Sequence, residues 1–200
     1  MATICVFGDS TAWGAWDLER GGWVNRLWLF LADKDQDINL YNLSISGGTT
    51  ETILARFEAE AKIREADMFI FQTGGNDAAY EYREGNYLVL SDKFKANIEE
   101  IIKKAKQITD KIIFVCFNNV NEIKTKPVLW RDIYYTNDNI KKYNEIIKEV
   151  CVEQKVLFLD VFGLLSNDDL DDGVHPNSDG HNKIFKKVKN FLTENNFIKV

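Results

Sequence analysis

The chain has 200 residues, 45 % hydrophobic and 28 % charged, which is enough to form one globular domain, residues 1–200, without help from metal or disulfide. Its 31 acidic side chains outnumber 25 Lys and Arg, for a net charge of −6, and this excludes the basic footprint of a general nucleic-acid binder or a polybasic membrane-surface protein. No apolar run approaches the ~20 residues of a membrane span.

The first residues, Met1 to Phe7, carry no basic leader and run straight into an apolar, strand-like segment at Thr3–Phe7. Gly8-Asp9-Ser10 follows it. Val24, Leu27, Trp28 and Leu31 then recur at helical spacing. The run 38–43 alternates apolar with polar residues, which predicts an edge strand. After it comes Ser44-Ile45-Ser46-Gly47-Gly48-Thr49-Thr50, and then a helical stripe of Ile53, Leu54, Phe57 and Ala61. Residues 67–73 are almost continuously apolar and lead into Gly74-Gly75-Asn76-Asp77. The stretch 78–90 fits no period. Phe94, Ile98, Ile101, Ile102, Ala105 and Ile108 mark a further helix, and 111–117 another apolar strand. Residues 118–138 are again irregular. Ile140, Tyr143, Ile147 and Val150 predict a helix, 155–161 a strand, and Ile184, Phe185, Val188, Phe191 and Leu192 the last helix.

Strands alternating with helices predict an α/β fold, a doubly wound three-layer sandwich on a parallel sheet. In such sheets ligands sit beyond the carboxyl ends of the strands. The two irregular stretches belong to that edge and are candidates for the pocket rim. Cys5, Cys116 and Cys151, odd in number and far apart, match neither a disulfide framework nor a zinc spacing, and a reducing cytoplasm is expected.

The carboxyl ends of the strands carry a short list of reactive groups. Ser10 stands at a strand-to-helix turn, where it is either a nucleophile or a helix cap. A serine nucleophile needs a base, and only His175 and His181 can supply an imidazole. Asp172 stands three residues before His175, within reach of its ring through a turn. Asp171 competes for that role. Pro176 restricts the backbone of His175 and suits the first turn of the helix that follows. His181 reads as a structural hydrogen-bonding residue, and Asp9 and Asp77 as turn residues. Donors for a developing oxyanion are available from Ser10 N–H, from the Gly47-Gly48 turn and from the Asn76 amide. The acidic run 167–173 has the look of a calcium loop, but Leu170 occupies a ligand position and Asp179 stands where a bidentate Glu is needed. A solvated turn is expected there, and no metal. No G-x-G-x-x-G, P-loop or G-x-S-x-G motif follows any strand.

Gly8-Asp9-Ser10, Gly47, Gly74-x-Asn76-Asp77 and Asp172-x-x-His175 stand in the order and spacing of the four blocks of the SGNH (GDSL-type) hydrolases, and the chain resembles that family from residue 3 to about 190. Ser44 and Gly48 stand where family members often carry Gly and Asp. The resemblance implies a flavodoxin-like strand order of 2-1-3-4-5. It implies Ser10 as nucleophile, His175 as base and Asp172 as its orienting partner. Ser10 N–H, Gly47 N–H and the Asn76 side chain form the implied oxyanion hole, and no cofactor is implied. The expected function is cleavage of carboxylic esters through an acyl-enzyme. An acyltransferase, a lysophospholipase or a thioesterase uses the same triad, and a non-catalytic binding module can be built on the same fold. Trp13, Tyr80 and Trp130 are the substrate-rim candidates. Aromatic rings mixed with charges suit a small polar leaving group such as a sugar, and hence short acyl chains. The expected partner is a small-molecule ester, with no nucleic acid and no membrane span.

Overall fold

Continuity of apolar residues decides which strands lie in the middle of the sheet. In the computed structural model, which describes residues 2–34 and 37–199, β3 (Met68–Gln72) and β5 (Ile112–Val115) are buried at every position. Met1, the first residue of the apolar amino-terminal run, lies outside the described residues. β1 (Ala2–Gly8) pairs in parallel with both β3 and β2 (Ile38–Asn42), and β5 pairs in parallel with β7 (Leu157–Leu159). The alternating segment β2 is indeed the edge, half-buried at best. The sheet order is β2-β1-β3-β5-β7; numbering only these five strands gives the flavodoxin-like 2-1-3-4-5. β1 and β3 are neighbours, so their carboxyl ends bring residues 9–10 and 74–77 together.

Side chains that alternate along β1 serve two separate cores. Cys5 and Phe7 face α3 (Thr50–Ile63), α5 (Ser91–Lys106) and α6 (Asn137–Gln154). There Phe7, Phe57, Phe69, Phe71 and Phe114 form a continuous aromatic cluster, with ring centroids 4.9–6.3 Å apart. Ile4 and Val6 face the opposite way, onto α2 (Gly22–Asp33) and α7 (Ser178–Glu194), through Trp23, Leu27, Ile184 and Val188. The result is the three-layer sandwich expected from the periodicity. No helix among the described residues is long and apolar enough to cross a membrane.

The irregular stretches hold structure that hydrophobic periodicity does not register. Two one-turn helices, α1 (Ser10–Trp13) and α4 (Gly75–Ala78), follow β1 and β3. β4 (Tyr80–Glu81) and β6 (Ile133–Tyr134) pair antiparallel and clip the two stretches together, with Tyr80 stacked on Tyr134 at 5.0 Å and 5°. Residues 167–169 form a 3₁₀ turn, and this corrects the solvated-turn reading. Asp169 is buried because α7 passes beside it; Lys183 Nζ donates to both carboxylate oxygens at 2.7 Å, and Ser166 donates through N and Oγ.

Candidate active site

Ser10 is presented by a close approach of backbones. A Cβ on Gly8 would stand 2.5 Å from Gln72 O, so only glycine lets β1 end this tightly against β3. Asp9 caps α1 through Oδ1, which accepts from Thr11 N at 2.9 Å. Ser10 is therefore the first helical residue, a position whose N–H has no acceptor within the helix. Gly14 ends α1 after one turn at φ +106°, where a side chain would collide with Gly21 O.

His175 Nε2 lies 2.7 Å from Ser10 Oγ, and His175 Nδ1 lies 2.6 Å from Asp172 Oδ2. The three-residue offset works because the carboxylate curls back on its own loop: Oδ1 accepts from Val174 N at 2.9 Å and His175 N at 2.8 Å. A fourth donor, which sequence reasoning missed, is Trp16 Nε1, 2.7 Å from Oδ2. Burial pushes this carboxyl up, but the hydrogen bonds from the His175 ring and backbone outweigh it and bring Asp172 down to about 2. Asp171 takes no part at the ring; its N–H donates to His175 O and its carbonyl accepts from Lys124 Nζ.

Asn76, on α4, faces Ser10 across the β1–β3 junction. Its Nδ2 donates to Gly48 O at 2.8 Å, and its Oδ1 accepts from the buried Tyr135 hydroxyl at 2.8 Å. These two bonds fix which end of the amide is the donor, and they leave one Nδ2 proton for a ligand. Tyr135 lies in the irregular stretch 118–138, and only its burial against Asn76 reveals this role. Gly47, next to the cleft-lining Ser46, takes φ +75° with nothing within 4 Å of where a Cβ would stand. The turn is anchored by Asp77, which accepts from Thr50 N at 3.0 Å and Thr50 Oγ1 at 2.5 Å. Burial raises Asp77 to about 6 and Asp9 to about 7.

A cleft of about 410 Å³ opens beside His175 and Asp172, lined by Trp13, Trp16, Ser46 and Trp130 among others. The Trp130 ring lies 5.9 Å from the imidazole, inclined by 30°. Of the three rim candidates, Trp13 and Trp130 line this cleft. Tyr80 does not, because its stacking on Tyr134 holds it in the β4–β6 clip. A larger hollow of about 620 Å³, between Arg20, Phe30 and Phe185, contains none of these reactive groups.

His181 is buried on α7 and bridges backbone groups: Nδ1 accepts from Trp23 N at 3.3 Å, and Nε2 donates to Ala15 O at 2.9 Å. Burial lowers it from 6.5 to about 4. Above pH 6.5 the ring is neutral whether the chain is folded or not. As the pH falls from there to about 4, the unfolded chain binds a proton that the folded ring refuses, so the contribution of His181 to stability is lost over that window. The stability advantage of the natural chain over His181→Gln should therefore shrink by roughly 3 kcal/mol between those limits in urea melts at a series of pH values.

A hydroxyl, an imidazole and a carboxylate in line at the carboxyl edge of an α/β sheet define a hydrolytic class of site. Residues 6–183 match the model of the GDSL-like lipase/acylhydrolase family, and the chain belongs to that family; it is a carboxylic ester hydrolase. Esterase TesA of Pseudomonas aeruginosa is 26 % identical over 179 residues, which cover 87 % of this chain and 79 % of the relative. The fold is shared with the acetylxylan esterase Axe2 of Geobacillus stearothermophilus, at TM-score 0.76 and 21 % identity over 96 % of this chain and 93 % of that one. It is shared too with a lipase/acylhydrolase of Enterococcus faecalis, at TM-score 0.79 and 20 % identity over 98 % and 97 %.

Proposed function

We propose that the protein hydrolyses short-chain esters of small polar alcohols, acetylated sugars in particular, through an acyl-enzyme on Ser10. The observation that carries this reading is the unbroken chain from Asp172 Oδ2 through the imidazole to Ser10 Oγ, at 2.6 and 2.7 Å, facing an open cleft. His175 takes the serine proton as Oγ attacks the ester carbonyl, then returns it to the leaving alkoxide. Asp172 holds the ring with Nε2 toward the serine and stabilises the imidazolium. Ser10 N–H, Gly47 N–H and Asn76 Nδ2 receive the oxyanion. Water then attacks the acyl-enzyme with His175 again as base.

Three half-exposed tryptophans around the imidazole support a polar, flat-faced leaving group, since Trp13, Trp16 and Trp130 offer ring faces in contact with water. Axe2, which shares the fold, is by name an acetylxylan esterase. Access of water to the cleft favours hydrolysis over acyl transfer. The net charge of −6 gives no attraction to nucleic acid or anionic lipid. Cys5, Cys116 and Cys151 are buried free thiols, each raised by burial, and suit a cytoplasmic setting.

A fluorophosphonate probe should label Ser10 and fail to label His175→Ala; labelling elsewhere, or none, sinks the nucleophile assignment. A panel of esters tests the substrate class. Acetyl and butyryl esters should be cleaved faster than chains of ~10 carbons; a groove for such chains would show itself by adding ~0.8 kcal/mol per methylene, about fourfold in kcat/KM. A steady rise with chain length would instead move the protein to the lysophospholipases or thioesterases.

A further inference from the structure

Between Gly14 and Gly22 the chain forms a strap that is fastened on both sides of one residue. Ala15 O accepts from His181 Nε2 at 2.9 Å. The buried Asp17 carboxylate accepts from Arg26 Nε at 2.8 Å, Ser178 Oγ at 2.8 Å and Gly22 N at 2.9 Å. Ser178 and His181 belong to α7, the helix that begins just beyond His175. Both anchors of the strap are thus tied to the element that follows the imidazole directly.

Trp16 stands between the anchors with φ +66°, a left-handed backbone that a bulky residue adopts only under constraint. Burial does not account for the placement, since the residue is 50 % exposed. What the strained backbone achieves is a single polar contact: Nε1, the only polar atom of the side chain, lies 2.7 Å from Asp172 Oδ2, the oxygen that also meets His175 Nδ1 at 2.6 Å.

We propose that Trp16 is a positioning residue for ester hydrolysis, its indole N–H fixing the Asp172 carboxylate in the orientation that holds His175 toward Ser10. The inference rests on the Ser10–His175–Asp172 reading of the site. Oδ1 is already held by two backbone N–H groups, so the indole supplies the one side-chain restraint on Oδ2 besides the imidazole itself. It also withdraws negative charge from the oxygen that stabilises the imidazolium. The other groups that act on this region are Asp9 behind Ser10, His181 on α7, Tyr135 beside Asn76, and Lys124 on the Asp171 carbonyl.

Trp16→Phe keeps a flat, smaller ring in the cleft wall and removes the N–H. It should lower kcat about tenfold, as loss of one charge-assisted hydrogen bond does, while KM stays within about twofold. The acid limb of the kcat/KM profile should move to higher pH, and in an Asp172→Ala background the substitution should cost nothing further, because both act through one contact. A rise in KM alone, with full additivity on Asp172→Ala, would overturn the proposal and leave Trp16 as a cleft wall. Should the Phe variant fold poorly, ¹⁵N spectra of the otherwise natural chain decide: the Trp16 indole resonance must shift on Asp172→Ala, and an unmoved resonance refutes the contact. Unaltered kcat and pH profile in Trp16→Phe, with hydrolysis abolished in Ser10→Ala, defeat this inference alone. Full activity in Ser10→Ala defeats the reading beneath it.

Discussion

Ser10→Ala and His175→Ala are each expected to lower kcat for ester hydrolysis on the order of 10⁴-fold or more, and the double variant to be little worse than either. The reason is that the hydroxyl and the imidazole act as one unit; once either is gone the other has nothing to do. The melting temperature should barely move in Ser10→Ala, since Oγ makes its hydrogen bond to His175 and supports no core element. Asp172→Asn should cost less than either, because the carboxylate orients and stabilises without reacting. The rate should fall on the acid side as the ring takes a proton and can no longer accept one from Ser10. Asp172, held down at about 2, stays ionised along that limb. Activity retained in His175→Ala but lost in His181→Ala would reverse the assignment. Geometry argues against that outcome, since both nitrogens of His181 are engaged with backbone groups of Trp23 and Ala15.

The second large effect concerns Asn76. Asn76→Ala should reduce kcat by ~10²–10³ with little change in KM, as removal of a single oxyanion donor does. The amide is already oriented as a donor. Tyr135 holds Oδ1 and Gly48 takes one Nδ2 proton, so the remaining proton needs no reorganisation when charge develops. Tyr135→Phe should show a smaller loss of the same kind, in kcat before KM, because the amide survives but its orientation is no longer imposed. A pure KM effect in Asn76→Ala would place the residue in ground-state binding instead.

The layers of this fold were legible in the sequence because each strand advertises its burial. Met68-Phe69-Ile70-Phe71 and Ile112-Ile113-Phe114-Val115 can only be covered on both faces, and the alternation at 38–42 can only be an edge. The positions of Ser10, Asn76, Asp172 and His175 were legible because short motifs at strand ends leave little conformational choice. The contacts of Trp16 and Tyr135 were not. Each depends on where a segment without period comes to rest, and a two-residue pairing such as 80–81 with 133–134 leaves no hydrophobic signature. Tyr80 misled for the same reason: its chemistry suits a rim, and a cross-strand stack decided otherwise. The acidic run at 167–173 looked solvated because Lys183, fourteen residues on from Asp169, is its partner.

The β4–β6 pairing has a consequence for how such a protein can change its substrate. The segment that carries Trp130 into the cleft also carries Tyr135 to Asn76, and it is stitched to the segment that leaves α4. The cleft wall and the support of the Asn76 amide are therefore inherited as one mechanical piece. Asn118, Asn121 and Lys124 hold the 171–174 loop in place, whereas a graft confined to the exposed tip at Leu129 and Trp130, leaving residues 133–135 in register with Tyr80 and Glu81, should alter what the cleft admits while sparing the chemical step. One that shifts that register by a single residue turns Tyr135 away from Asn76, and the enzyme loses turnover before it gains any new specificity.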